Sequence, residues 1–431
     1  MTEEEARLRG LLQQSERAFA AGDSARAMQL LVDAQRQSPD HPMVLNMAGM
    51  RALGAGKAAE ALQLLRRALA RDTRSPMLWV NVAAVHRQLG HADEETQALE
   101  SALALDARFL PALLQKGAQR KRRGDARAAA LIYAEALKTI PPGASLPESL
   151  RPEVTAAVDA VRANLRELED FLAQRLGALR AASPDTARFD HGLDALLGKR
   201  RVYHPEPTQL HVPMLPALEF YPREQFPWLA QLEAAANAVR EEFERVFAED
   251  QDRLEPYINY PEGVPLDQWA ELNRSRRWSA FFLWRDGKPV EANQARCPRT
   301  TGLLRSLPLH EVPGRAPAAF FSILDAGAHI PPHSGVTNSR LIVHLPLVLP
   351  GNSRFRVGST TREWRAGEAW VFDDTIEHEA WNDSAYPRAI LIFDTWNPFL
   401  STSERALISE ATVAFADYYG ADVLAAHGGA G

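Results

Sequence analysis

A chain of 431 residues is longer than one hydrophobic core usually serves, so two or three domains are expected. Apolar residues at 46% and charged residues at 24% lie near globular averages, which excludes disordered and collagen-like chains. A net charge of −6, from 49 basic and 55 acidic residues, leaves no basic excess for nucleic acid or an anionic membrane surface, and neither is expected as a partner.

The acidic start Met-Thr-Glu-Glu-Glu carries no apolar signal segment. Glycines then fall at Gly22, Gly56, Gly90 and Gly124, each 34 residues after the last. The same period carries Ala34, Ala68, Ala102 and Ala136, and also Ala27, Ala61 and Ala129, with Glu95 as the exception. Ser15, Gly49, Ala83 and Gly117 form a further register of small residues. Small side chains let paired helices approach, and a glycine between two helical runs supplies the left-handed residue that ends the first. The pattern resembles the tetratricopeptide repeat, in four copies from about Leu8 to Pro142. Pro39 and Pro141 stand where the repeat often has proline in its last turn; Thr73 and Ala107 depart from it. Such an array implies either a scaffold or dimerisation surface, or a groove for a peptide or protein partner.

Prolines and glycines between Pro141 and Pro147 mark a break. Arg151 to Ala182 then has helical periodicity and is expected to be one long helix. Composition changes near residues 185–205, where prolines and aromatics enter, and another helix is expected over Trp228 to Asp250. The expected domains are therefore 1–145 for the repeats, 146–200 for a helical linker, and 201–431 for the remainder, with a core at 318–398.

Cys297 is the only cysteine, which excludes an internal disulfide and a thiolate metal cluster and points to a reducing compartment; the cytoplasm is expected. From Ala318 to Pro398 the chain reads as short strands: Ala319 to Leu324, Arg340 to Leu349, Arg354 to Gly358, Ala369 to Phe372 and Ala389 to Trp396. This spacing suggests an antiparallel sandwich or barrel. None of the apolar stretches, Leu341 to Leu349 among the longest, is long enough to span a bilayer. No glycine-rich phosphate loop and no Gly-x-Ser-x-Gly elbow is present.

Three elements of the strand region bear chemistry. They are His333-Ser334-Gly335, the stretch Phe372 to Glu379 with Asp374 and His378, and Arg388 at the head of a strand. Two imidazoles 45 residues apart at strand ends can converge on one metal, and imidazole suits iron, zinc, copper and nickel alike. A buried arginine in the same barrel suits a carboxylate ligand. His329 and His333 have the spacing of a zinc-binding helix, but Pro331 and Pro332 between them exclude a regular helix.

The stretch Ser322 to Pro398 resembles the aspartyl/asparaginyl β-hydroxylase family. The resemblance runs through His333, Gly335, Thr337, Asn338, Arg340, Leu341, His344, Leu345, Phe372, Asp373, Asp374, His378, Glu379, Trp381, Asn382, Arg388, Asp394 and Trp396 in order. It implies a multidomain α + β chain: a solenoid of tetratricopeptide type followed by a double-stranded β-helix, or jelly roll, with flanking helices. It also implies iron(II), 2-oxoglutarate as co-substrate, and dioxygen. His333 and His378 would be the protein ligands to iron, since Gly335 stands where related oxygenases have a third, carboxylate ligand. Asp374 would orient a water completing the sphere. Arg388 and Ser322 would take the distal carboxylate of 2-oxoglutarate, and His344 the carboxylate that chelates iron. Some relatives have an arginine where this chain has Ile342, and Arg340, two positions earlier on the same strand face, is expected to take over that contact. Trp381 and Trp396 are expected in the core.

The implied reaction is hydroxylation of an aspartyl or asparaginyl β-carbon in a peptide or protein engaged by the repeats. The rival readings are a non-enzymatic adaptor with a degenerate barrel, an oxygenase of this kind acting on a small molecule or lipid, and a cupin-like enzyme that does not use 2-oxoglutarate.

Overall fold

The computed structural model describes residues 3–419. The chain divides into two compact units, Met1–Arg188 and Phe189–Gly431.

The first unit is a run of antiparallel helix pairs: α1 (Glu3–Ala20) with α2 (Ser24–Gln37), α3 (Pro42–Gly54) with α4 (Ala58–Arg71), α5 (Pro76–Leu89) with α6 (Ala92–Leu105), and α7 (Leu110–Arg122) with α8 (Ala126–Lys138). It is a helical region of tetratricopeptide-repeat type. The four periodic glycines sit where each pair turns, with φ between +75° and +82°, a region costly for any residue with a Cβ. Asp23 and Asp125 follow two of them and cap α2 and α8 by accepting the N–H groups of Arg26 and Ala128. Ala34, Ala68, Ala102 and Ala136 are wholly buried between helices. At Gly117 the approach is closest: a Cβ there would lie 2.5 Å from the Tyr133 ring. Glu95, the exception in the alanine register, is buried and receives a hydrogen bond from Arg122 at 2.6 Å. A long helix, α9 (Arg151–Ala181), packs on α8 through Ala157 and the half-buried Val154 and Val161.

The second unit begins inside α10 (Ala187–Leu196). An extended stretch leads to α11 (Leu229–Ala234) and α12 (Ala236–Glu249), two helices broken at Ala235 where a single one is predicted from sequence. The strands are β1 (Glu255–Pro256), β2 (Trp278–Arg285), β3 (Lys288–Pro289), β4 (Ala319–Leu324), β5 (His329–His333), β6 (Arg340–Val348), β7 (Ser353–Val357), β8 (Thr360–Glu363), β9 (Trp370–Phe372), β10 (His378–Asn382) and β11 (Arg388–Trp396). Two short helices, α13 (Glu291–Gln294) and α14 (Pro298–Arg305), lie between β3 and β4, and α15 (Thr402–Tyr419) follows β11.

The paired strands all run antiparallel, while Leu210 and Thr337 form an isolated parallel bridge outside them. One sheet runs β1-β2-β4-β11-β6-β9 with β3 beside β2; the other runs β5-β10-β7-β8. Alternation along the strands separates two cores. Phe321, Ile323, Leu341, Val343, Leu345, Leu391 and Phe393 pack against Leu232, Val239, Phe243 and Leu304 of the helices. Leu324, Ile342 and Ile390 face the other way, onto Ile330, Phe355, Val357 and Ala380 of the small sheet. The unit thus layers helices, large sheet and small sheet, and the space between the sheets receives the polar residues described next. Among the described residues no helix is long and apolar enough to cross a membrane.

Candidate metal centre

His333 ends β5 and His378 begins β10, and the two are direct cross-strand partners. Their ring centroids lie 4.0 Å apart. A β-bulge aims the first ring. Pairing shifts by one residue, so that Pro331 and Pro332 together oppose Glu379, and Ile330 and His333 come to face the same side. β5 is an edge strand, where a proline costs no ladder hydrogen bond. His329 is turned outward by the same bulge, stacked on Trp381 and 3.0 Å from a Glu379 oxygen.

Each ring is fixed by its own backbone. Nδ1 of His333 donates to the carbonyl of Pro331 at 2.7 Å, and Nδ1 of His378 to that of Ile376 at 3.1 Å. A neutral imidazole that donates through Nδ1 carries its lone pair on Nε2, the arrangement a metal ligand requires. Both rings are held neutral. Burial, and then the neighbouring His378, pushes His333 down to about 3; burial, against the pull of the Ile376 carbonyl, pushes His378 to about 4. Among the described residues no group of three or more His, Cys, Asp or Glu side chains is arranged to hold a metal ion.

Gly335 lies against Asp374. Its N–H donates to the Asp374 carbonyl at 2.6 Å, and a Cβ at this position would fall 2.1 Å from Asp374 Oδ2. The Asp374 carboxylate therefore fills the space a side chain at 335 would occupy. Oδ2 accepts from Arg340 Nη2 at 3.1 Å, while the buried Oδ1 has no hydrogen-bond partner. Burial raises the Asp374 pKa, opposed by Arg340 and His333.

The two arginines of the cavity stand in different states. Burial alone would lower the Arg340 pKa, but Asp374 and Asp394, the latter 3.6 Å from Nη1, raise it on balance. Arg340, expected from sequence as a co-substrate contact, is thus engaged by two carboxylates. Arg388 is 1% exposed and, among the described residues, has no carboxylate partner. Its Nη1 makes only long contacts, 3.4 Å, to the carbonyl and hydroxyl of Ser322, and its Nε is unpartnered. Burial pushes it down to about 9. A buried guanidinium in this condition carries an uncompensated cost that an anion would relieve. His344 lies beside it with Nδ1 unpartnered, its pKa well below the ordinary value through burial and then Arg388.

The structure brings His333, His378, Asp374, Ser322, Arg340, His344 and Arg388 to the wall of one cavity of about 90 Å³. Its remaining wall includes Tyr257, Trp269 and Trp278, which sequence reasoning did not single out. The Trp269 ring meets His333 edge-on at 5.0 Å, Tyr257 stacks on Trp278 at 4.1 Å, and Trp278 Nε1 donates to Ser322 Oγ at 3.1 Å. Their only sequence signal is aromaticity, which a core residue shares. Trp381 and Trp396 are half-buried and outside this cavity, Trp381 beneath Arg354 and Trp396 against His310, so the core expectation does not describe them.

Comparison with known proteins agrees with this geometry. Residues 233–398 match the family model for aspartyl/asparaginyl beta-hydroxylase. The chain is 33% identical over 181 residues to the aspartyl/asparaginyl beta-hydroxylase of Homo sapiens, covering 42% of this chain and 24% of that protein. It is 33% identical over 184 residues to the ornithine lipid ester-linked acyl 2-hydroxylase of Rhizobium tropici, covering 42% of this chain and 61% of that one. The chain thus spans less than two thirds of either relative. Among solved structures it is similar to a thermophilic TPR protein of Thermus thermophilus, with 18% identity and a TM-score of 0.32, over 44% of this chain and 97% of that one. Over residues 233–398 the second unit is thus similar to the aspartyl/asparaginyl beta-hydroxylase family.

Proposed function

We propose that the second unit is an iron(II)- and 2-oxoglutarate-dependent hydroxylase, its two packed sheets forming a double-stranded β-helix. Bound iron would supply the open coordination at which 2-oxoglutarate is oxidised by dioxygen to succinate and carbon dioxide while one oxygen atom passes to the substrate. The observation that carries this reading is the shared cavity: two lining imidazoles whose Nδ1 atoms are taken up by backbone carbonyls, and a buried arginine whose Nε has no hydrogen-bond partner.

His333 and His378 would hold the metal. Asp374 Oδ1 is a free acceptor beside Gly335 and would hold a water there. Arg340 would hold that carboxylate in place and oppose its protonation, an engagement that occupies the guanidinium expected from sequence to contact the co-substrate. Arg388, with Ser322, would take the distal carboxylate of 2-oxoglutarate, and His344 the carboxylate nearer the metal. Trp269, Trp278 and Tyr257 would exclude water from the metal's open side. We read the repeat unit as the part that engages a peptide or protein substrate, with an aspartyl or asparaginyl β-carbon as the expected point of attack.

The test is calorimetric titration of 2-oxoglutarate onto the manganese(II)-loaded protein. Binding that requires the metal and is lost in Arg388→Met is expected; no binding to the loaded protein contradicts the reading. A second substrate class has support in the equal identity to a lipid acyl hydroxylase. Incubation with a peptide library and, separately, a bacterial lipid extract, read by mass spectrometry for one added oxygen, separates the two.

A further inference from the structure

The segment 206–212 belongs to neither sheet, yet it is stitched to both loops that carry the histidines. The Glu206 N–H donates to the Thr375 carbonyl at 2.7 Å, in the loop before His378. Thr208 N–H donates to the Gly335 carbonyl at 3.0 Å, and Gln209 and Leu210 N–H to the Val336 carbonyl at 3.0 and 3.1 Å, in the loop after His333. Asn338, 2% exposed, completes the seam: its amide accepts the Val212 N–H and donates to the Val212 carbonyl, both at 2.8 Å, as a neighbouring strand would. Asn338 is itself held by Asn397, whose amide donates to its carbonyl at 3.1 Å.

Apolar burial does not explain why the segment lies there. Glu206 and the run Thr208 to His211 are exposed. Its approach is tied by Ser359 to the Arg201 carbonyl, and its exit by the Tyr221 N–H to the Val371 carbonyl at 2.9 Å. It also lies outside residues 233–398, the stretch matched by the family model.

We propose that segment 206–212, clamped by Asn338, is a brace that sets the spacing of the two histidine loops, and that metal affinity depends on it. The proposal rests on the metal-binding reading above. A site with two protein ligands has fewer bonds with which to correct a misplaced ring, so preorganisation of the loops weighs more in its affinity. Beyond the strand pairing that sets His333 opposite His378, the loops are joined by the Gly335 to Asp374 hydrogen bond; the brace adds a crossing that touches each of them. Asn338 and Thr208 are positioning residues in this account, and neither touches the metal.

The experiment measures manganese(II) dissociation constants of the full chain by electron paramagnetic resonance, with hydrogen exchange of the 334–339 amides in the metal-free state. Thr208→Pro removes the backbone donor to Gly335, whereas Thr208→Ala keeps it and loses only the long 3.5 Å hydroxyl contact to the same carbonyl. Thr208→Pro and Asn338→Ala are expected to weaken manganese binding ~10- to ~100-fold, the range for residues that orient metal ligands. Both should speed exchange in the 334–339 loop, and Thr208→Ala should match wild type in both readouts. Wild-type affinity in Thr208→Pro and Asn338→Ala overturns the proposal, even if their melting temperatures fall, because the segment would then serve stability alone. If Asn338→Ala does not fold, Asn338→Ser is measured instead and is held to the same outcomes. A wild-type protein that binds no manganese fails the metal reading itself, a result distinct from equal binding by all variants.

Discussion

In the repeat unit, buried polar side chains find partners: Glu95 meets Arg122, Gln119 reaches Thr96, and Ser15 donates to the Ala27 carbonyl. Among the described residues, Gln115 Oε1 is the one buried side-chain atom of that unit without a hydrogen bond. In the sheet unit such atoms are more numerous, and Asp374 Oδ1, His344 Nδ1 and Arg388 Nε belong to residues that line one cavity. Unsatisfied buried polar groups cost stability, and these three would be completed by the ligands proposed above. The repeat unit satisfies nearly all its buried polar groups internally, whereas the cavity leaves several open.

The two cavity arginines should respond differently to the same substitution. Arg340→Met leaves Asp374 and Asp394 buried without their cation and is expected to destabilise the sheet unit by about 3–5 kcal/mol, read by chemical denaturation. Arg388→Met removes a charge that has no anion, and should leave stability unchanged or raise it by about 1–4 kcal/mol while abolishing 2-oxoglutarate binding. Equal destabilisation by both would mean that Arg388 is already satisfied in the fold. In the repeat unit, Gly117→Ala drives a methyl into the Tyr133 ring and should cost about 1–3 kcal/mol. Gly124→Ala meets open space, but at φ +82° it should cost about 1–2 kcal/mol through the backbone alone. A larger loss at Gly124 than at Gly117 would contradict the packing account.

The smallest expected effect is an absence of change with pH. His333 and His378, held near 3 and 4, lie below the ordinary histidine value in the fold, so from about pH 6.5 downward the unfolded chain takes up protons that the folded rings refuse. Their contribution to metal-free stability is therefore full above about 6.5 and lost as the pH falls toward 4 and then 3. Asp373, raised to about 6 by burial, acts in the opposite sense between 6 and about 4, with a smaller shift. Manganese affinity, by contrast, should stay level from about pH 7.5 to about 5, because neither ring has a proton to release there. A fall through about pH 6.5 would show ordinary histidines.

Much of this was legible in the sequence. The repeats were, because one glycine per helix pair must adopt positive φ and one alanine per pair must fit between helices, and both recur in register. The strongly apolar strands β4, β6 and β11 were legible for the same reason: buried on both faces, they read as continuous Val, Ile, Leu and Phe runs. The strands that carry the histidines were not. His-Ile-Pro-Pro-His and His-Glu-Ala-Trp-Asn have no clean alternation, since one is an edge strand with a proline bulge and the other turns polar groups to both sides. The site residues were visible through ordered motif identities. The pairing of Arg340 with Asp374 and Asp394, and the brace at 206–212, depend on contacts between residues far apart in the chain, and no local pattern reports those.

Incubation of the metal-stripped protein with iron(II), 2-oxoglutarate and ascorbate in air, with succinate measured in wild type, His333→Ala and His378→Ala, decides whether the sheet unit is an oxygenase. Succinate that requires iron and both histidines is expected, even without the physiological substrate. No succinate together with no iron-dependent binding of 2-oxoglutarate, or succinate that survives loss of either histidine, would contradict it.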